Sequence, residues 1–469
     1  MPSAKLETQI QRLRGAFEER LARLVEIPSV SMDPARKTDI ARCAEEASAC
    51  LREIGAEVDL VPTGGNPLVV GRLMRDPKLP TVTIYNHLDV QPADPAEWKT
   101  PPFTFTRKGL RYFARGTTDD KGPALAALFG AKLAVADDVG LNIQFLWELE
   151  EEIGSPNFDA GLARLTKGKQ PFTTDSVVVS DTIWISAGRP AIPYGLRGLL
   201  AFTVRLETGA KDVHSGTTGG AARNPVGELA ALIATCYDAR TGKVKIPGFY
   251  RDVRKLTTRE RQSFARAGFS RRKFQAAHEL HKVRFDDDET LMQAIMAQPT
   301  FEVHGLVGGY TGPGVKTIVP HAAEAKLSTR LVADQDPNEV FALIKAFIKK
   351  HCPDAIVEKE GVLEPYLGDL GGPYQDAAAR AMKGAFGRAP AFTREGGSIG
   401  AVLTMQRRLA APIVFAGLSL PEHGYHAVDE NFDWPQSAGG MNMFYRYFFE
   451  LANLPQAAQS PKRKKGARA

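Results

Sequence analysis

Cysteine is scarce in this chain. It has four, Cys43, Cys50, Cys236 and Cys352, among 469 residues, and none stands in a Cys-x-x-Cys spacing. That pattern excludes a disulfide scaffold and a thiolate zinc cage. Cys43 and Cys50 lie seven apart in a helical stretch, about 10 Å of rise, too far for a bridge. All four read as reduced, mostly buried thiols of a cytosolic protein. Long apolar runs are missing as well: none reaches the ~18 residues of a membrane span. The opening residues Met1–Glu7 lead into a charged amphipathic helix without the apolar centre of a signal peptide. A basic face is also lacking. The formal net charge is +6, but Lys462, Arg463, Lys464, Lys465 and Arg468 carry five of those charges, which leaves the body near +1. A nucleic-acid binder carries its positive charge on the folded part, so neither nucleic acid nor membrane is an expected partner. Residues 457–469 read as a solvated, disordered basic tail. No internal repeat is found, and no low-complexity segment outside that tail.

What is present is material for a large core. The chain is 43% hydrophobic and 24% charged, and it is too long for one ordinary core, so two domains are expected. The apolar spacing predicts helices over 5–26 and 38–54, strands over 57–61 and 68–74, and a helix from Lys121 to Asp137. Up to Ser186 the alternation of strand and helix predicts an α/β fold with a mixed, largely parallel sheet. Near Gly195–Gly198 the pattern changes. A strand over Leu199–Leu206, a helix at 225–237, a basic helix-rich stretch at 251–297, a strand at 323–331 and a helix at 336–350 read as a second, smaller α/β domain inserted into the first. The first domain's alternation returns near Gly371-Gly372-Pro373, with a helix over 375–386 and a buried strand over 411–417.

Three short, β-branched apolar runs each end in groups that can hold a cation. The first runs from Thr81 to His87 and Asp89, the second from Leu141 to Glu150-Glu151-Glu152, the third from Ser176 to Asp181. Ligands of open α/β sheets sit beyond the carboxyl ends of the strands, so a metal site is the leading expectation. A ligating histidine usually donates its second ring N–H to a carboxylate, a part Asp89 can take toward His87. Asp119-Asp120 follows a glycine-punctuated loop, and adjacent carboxylates repel unless a cation neutralises them; an acidic N-cap of the following helix explains the pair equally. In the glutamate triplet, one carboxylate can bind metal while its neighbour acts as a general base. His214 lies in the second domain, far in sequence from the cluster. His423 and His426 compete, on composition, for a place in a metal shell.

Taken together, these segments resemble the M20 family of dinuclear zinc amidohydrolases, in its carnosinase-like dipeptidase branch. The ordered motifs are YNHLDVQP at 85–92, ARGTTDDKG at 114–122, EEEIGS at 150–155, SDT at 180–182, YGLRG at 194–198, DVHSG at 212–216, GGYTGPGVKTIVP at 308–320, RLV at 330–332, GGSIG at 396–400 and HAVDE at 426–430. The likeness spans Ile27 to about residue 455.

The resemblance implies a catalytic domain in two parts, 1–197 and 368–456, around an inserted lid and dimerisation domain at 198–367. It implies two Zn²⁺ per subunit, with Mn²⁺ or Co²⁺ as substitutes. His87 and Asp181 would hold one ion, Glu152 and His426 the other, and Asp119 would bridge them through a cis peptide to Asp120. Asp89 would orient His87, and Glu151 would be the general base. His214 would polarise the scissile carbonyl from the partner subunit of a homodimer. Arg330 would clamp the substrate's terminal carboxylate, with Thr317, Gly397 and Ser398 lining that pocket. The family's usual GGSIP reads GGSIG here, with Gly400, and its HAPNE reads HAVDE; both border the pocket. The expected activity is hydrolysis of dipeptides or short peptides with a free carboxylate. An N-acyl-amino-acid amidohydrolase would share every ligand, and a non-catalytic binding protein would share the fold.

Overall fold

The computed structural model describes residues 3–167 and 171–455. The predicted basic tail lies outside the described residues. The expected N-terminal helix is two, Ser3–Arg12 and Arg14–Val25. They part at Leu13, whose N–H bonds the Ile10 carbonyl rather than the one four residues back.

The main sheet has six strands in the order Glu57–Val61, Leu68–Leu73, Asn142–Glu148, Thr81–His87, Ser176–Val179, Ile413–Phe415. The last four run parallel, and Leu68–Leu73 joins Asn142–Glu148 antiparallel. The sheet is therefore mixed and largely parallel, as the sequence predicts. Its central strands are buried along their length, because helices cover both faces. Helices Lys121–Ala136 and Trp434–Ala452 share the largest core. They approach closely at Gly130, where an added Cβ would stand 2.6 Å from the Phe444 Cβ.

A second sheet has the order Glu302–Gly308, Ala322–Leu331, Gly198–Glu207, Ile356–Leu363, all antiparallel. Strand Gly198–Glu207 alternates buried with more exposed positions, the pattern of a sheet with one covered face. Helices Pro225–Cys236 and Pro337–His351 supply the cover in a separate apolar core.

The basic stretch at 251–297 forms three helices, Thr258–Ala265, Arg271–Ala277 and Asp288–Met296. It lies in sequence between strands of the second sheet, yet it packs on residues outside that range. Leu256, Phe264 and Met292 cluster with Tyr194 and Ala391. Arg394 pairs with Glu260, both nearly buried, and Arg189 donates to the Arg266, Ala267 and Ala389 carbonyls. Removing one partner of such a buried pair costs about 3–5 kcal/mol, because the other charge is left uncompensated. All four cysteines are buried and free. Among the described residues no helix is long and apolar enough to cross a membrane.

Candidate active site

The parallel pairing sets the site. His87 stands opposite Glu148 in register, and the neighbouring strand ends at Val179, two residues before Asp181. Three strand ends thus deliver His87, the glutamates and Asp181 to one edge of the sheet. Asp119 comes from the loop before helix Lys121–Ala136, through a cis peptide to Asp120. His426 arrives from the far end of the chain.

Asp119 stands between the two histidines. Its Oδ1 lies 2.9 Å from His87 Nε2, and its Oδ2 lies 3.0 Å from His426 Nε2. His426 Nε2 is also 3.2 Å from Glu152 Oε2, and His87 Nε2 is 3.8 Å from Asp181 Oδ2. Two sets of ligand atoms gather within 4.8 Å: His87, Asp120 and Asp181, and Asp119, Glu152 and His426. Asp120, absent from the expected ligands, joins the first set. Its Oδ2 accepts from Asn86 Nδ2 at 2.6 Å.

Asp89 serves two sides. Its main-chain carbonyl lies 3.1 Å from His87 Nδ1, closer than its carboxylate at 3.5 Å. The carboxylate instead accepts from the Glu151 and Glu152 N–H groups at 3.1 and 3.0 Å, and from Ser31 Oγ at 2.6 Å. It fixes the backbone of the two glutamates as well as sitting beside the imidazole.

The electrostatics describe a surplus of negative charge. Five carboxylates, Asp119, Asp120, Glu151, Glu152 and Asp181, face two imidazoles. Burial raises Asp181 to about 6, helped by Asp119 and opposed by His87. Burial and the neighbouring Asp181 and Glu152 push Glu151 well above the usual range. Burial disfavours a charged His87, yet contacts with Asp119 and Asp89 outweigh it and raise the imidazole well above its usual range. Asp120 Oδ1 is buried without a hydrogen-bond partner, and Asp119 Oδ2, likewise buried without one, faces His426 Nε2, so both oxygens keep lone pairs for a cation. Imidazole nitrogens and carboxylate oxygens, with two such orphans, fit divalent first-row cations.

Two residues of this site have no role expected from the sequence, although Glu430 ends the HAVDE motif. The buried Glu430 carboxylate accepts from Arg115 Nη1, Gly116 N and Thr118 N at 2.9 Å each, and from Asp119 N at 3.1 Å. It holds the loop that carries Asp119. Tyr425 donates to Asp181 Oδ1 at 2.7 Å. His423 is separated from the cluster by its own bonds. Its Nδ1 accepts from Leu420 N at 3.1 Å, and its Nε2 faces Asp433 Oδ2 at 3.0 Å.

A cleft of about 600 Å³ joins this cluster to Arg330, Gly397 and Ser398. Arg330 Nη1 donates to Ser398 Oγ at 3.0 Å, and its guanidinium pairs with no carboxylate among the described residues. His214 and Thr317 do not line this cleft. They lie together on a two-stranded ribbon, where His214 pairs with Ile318 and Ser215 N donates to the Thr317 carbonyl at 3.0 Å. His214 is exposed, its Nδ1 accepting from Gly216 N at 2.9 Å.

The family model described as Peptidase family M20/M25/M40 matches residues 83–450. The Cys-Gly metallodipeptidase of Schizosaccharomyces pombe is 30% identical over 96% of this chain and 98% of its own length. The Beta-Ala-His dipeptidase of Homo sapiens is 30% identical over 97% of this chain and 94% of its own. The M20 family metallo-carboxypeptidase of Sulfolobus solfataricus superposes with a TM-score of 0.84, at 32% identity, over 92% of this chain and 98% of that one. Matched over most of its length, and with acidic and histidine side chains gathered at the strand ends, the chain belongs to peptidase family M20/M25/M40.

Proposed function

We propose that this protein is a two-metal dipeptidase acting on short peptides with a free C-terminal carboxylate. The observation that carries the reading is one cleft with a cation-seeking carboxylate cluster at one end and the unpaired Arg330 at the other. His87 and Asp181 would hold one ion, Glu152 and His426 the other, with Asp119 between them; zinc suits these donors best, and Mn²⁺ or Co²⁺ can replace it. Bound there, such ions polarise a carbonyl and acidify water. Glu151 takes the proton of the attacking water and returns it to the leaving amine. Asp89 holds the Glu151 and Glu152 backbone during both transfers. Arg330, set by Ser398 and flanked by Gly397, grips the terminal carboxylate and fixes the scissile bond over the cluster. The four buried free thiols suit a reducing compartment, the cytoplasm.

The test is a screen of dipeptides, tripeptides and N-acyl amino acids with the zinc-reconstituted protein. Dipeptides should be the best substrates, and a clear preference for N-acyl amino acids would replace this reading with the deacylase one. Truncating one partner of a desolvated guanidinium–carboxylate pair costs about 2–5 kcal/mol. Arg330→Ala should therefore lower kcat/KM for free-acid dipeptides by about thirty-fold or more. C-terminally amidated dipeptides, poor substrates of the wild type, should lose little. Equal wild-type rates on the acid and the amide of one dipeptide would refute the clamp.

The unit at 198–367 is proposed as the lid and dimerisation domain. Its edge strand Glu302–Gly308 leaves Val303, Leu306 and Val307 exposed, and an unpaired apolar edge invites another chain. His214 and Thr317 would then complete the neighbour's cleft in a symmetric dimer. His214→Ala and Glu151→Gln should each be slow as homodimers. Mixed with subunit exchange, they should recover activity approaching about one quarter of wild type, since half the dimers are mixed and each holds one intact site. No recovery, with exchange shown by native mass spectrometry, would place His214 in its own chain's site.

A further inference from the structure

Arg330 does not stand alone on its sheet. In register it pairs with Leu199, and Leu199 pairs with Leu363 on the next strand. Directly opposed residues share a face, so the cation and the two leucines form one row across three strands. All three line the cleft, joined from the other wall by Ile399.

Beyond that row the face is mixed. Along strand Gly198–Glu207 the same side carries Ala201, Thr203, Arg205 and Glu207, with the exposed Ile356 opposite Arg205 and the exposed Val307 opposite Glu324. The other side carries the fully buried Leu200 and Leu206 and supplies the core. Leu199 and Leu363 are therefore not needed for the core of this sheet. They lie where the solvent face meets the cleft, and both remain partly exposed.

Gly400 adds an independent sign. Its φ of −61° and ψ of −36° are open to any residue. Space, rather than conformation, holds glycine there: an added Cβ would lie 2.8 Å from the Gly154 carbonyl oxygen and 3.2 Å from Leu363 Cδ2. The absent side chain leaves room for Leu363 to lean over the cleft beside Ser398.

We infer that Leu199, Leu363 and Ile399 form a side-chain subsite next to Arg330, and that the protein selects peptides whose C-terminal residue is apolar. The inference rests on the dipeptidase reading. Once Arg330 holds the carboxylate, the side chain on the same Cα is placed toward Leu199, one strand spacing of about 5 Å from Arg330, with Leu363 one spacing further on. An aliphatic side chain buries against them. Glycine leaves the wall wet, and an acidic side chain is desolvated beside it without a partner.

The test compares kcat/KM of the zinc-reconstituted enzyme on Ala-Leu, Ala-Gly and Ala-Asp, all free acids. A pocket that accepts a few methylenes discriminates by about 10–200-fold, so Ala-Leu should exceed Ala-Gly by at least ten-fold, with Ala-Asp poorest. Leu363→Ala and Gly400→Pro, one emptying the wall and one displacing it, should both bring the Ala-Leu to Ala-Gly ratio toward one, with folding checked by Tm. Equal wild-type rates on Ala-Leu and Ala-Gly, or a preference for Ala-Gly, overturn the subsite and leave the dipeptidase reading standing. Cleavage of none of the three overturns both.

Discussion

Glu151→Gln should keep the fold and both cations and lose kcat by about 10²–10⁴-fold or more, the usual contribution of a positioned general base. The substitution is nearly isosteric and removes only the ability to take a proton. Glu151 is placed for that task by its backbone, whose N–H donates to Asp89 Oδ1 at 3.1 Å. No hydrogen-bonding side chain occupies its carboxylate among the described residues, so the group is free to meet water in the cleft. Glu152, one residue on, is engaged by Gln91 Nε2 at 2.7 Å and faces His426. Glu152→Gln should therefore weaken cation binding first and turnover as a consequence. Metal content by mass spectrometry, Tm and kcat on one dipeptide decide the matter for both variants. If Glu151→Gln sheds metal while Glu152→Gln keeps it, the two roles are reversed.

Asp119→Ala should lose both cations and all measurable hydrolysis. Each of its oxygens serves a different histidine: Oδ1 is 2.9 Å from His87 Nε2 and Oδ2 is 3.0 Å from His426 Nε2. Oδ2 has no hydrogen bond of its own, so its lone pairs are available to a cation. Removing the side chain separates the two ligand sets and deletes the group that holds them together. Equilibrium dialysis should find less than one bound ion per chain at zinc concentrations that fill the wild type. Two tightly bound ions in this variant would end the shared-carboxylate reading, and full wild-type activity after exhaustive chelation would end the metal-dependent one.

Much of the metal-facing cluster is legible in the sequence because strand ends are local. An apolar run that stops at His87, at the glutamates or near Asp181 declares both the strand and its chemistry within a few residues, and parallel pairing brings such ends to one edge. Glu430 and Tyr425 are not legible, because their partners lie far away in sequence. Glu430 meets Arg115, Gly116, Thr118 and Asp119 across more than 300 residues; the HAVDE motif marks the position but not those partners. The same limit hides the helices at 258–296. Their amphipathic pattern shows that they bury one side, but not that Tyr194 and Ala391 receive it. The tie between His423 and His426 is of this kind too. Both are loop histidines three residues apart, and the bonds to Leu420 N, Thr118 Oγ1 and Asp433 hold the first away from the cluster. For Asp89 the sequence suggests a partner in His87 alone, since its contacts with the Glu151 and Glu152 N–H groups follow from the packing of one strand end against another.

The span between Glu430 and the Asp119 loop has a bearing on synthesis. A ribosome delivers chain from the N-terminus at about 5–20 residues per second. His87, Asp119, Glu152 and Asp181 all emerge before the partner that anchors the loop, and before His426. The strand Ile413–Phe415, which closes one edge of the main sheet, is equally late. Until residues 426–430 have left the exit tunnel, the nascent chain holds most of its candidate ligands but not the brace that sets them. A chain cut short before residue 426 would carry most of the candidate carboxylates without His426 or the brace at Glu430.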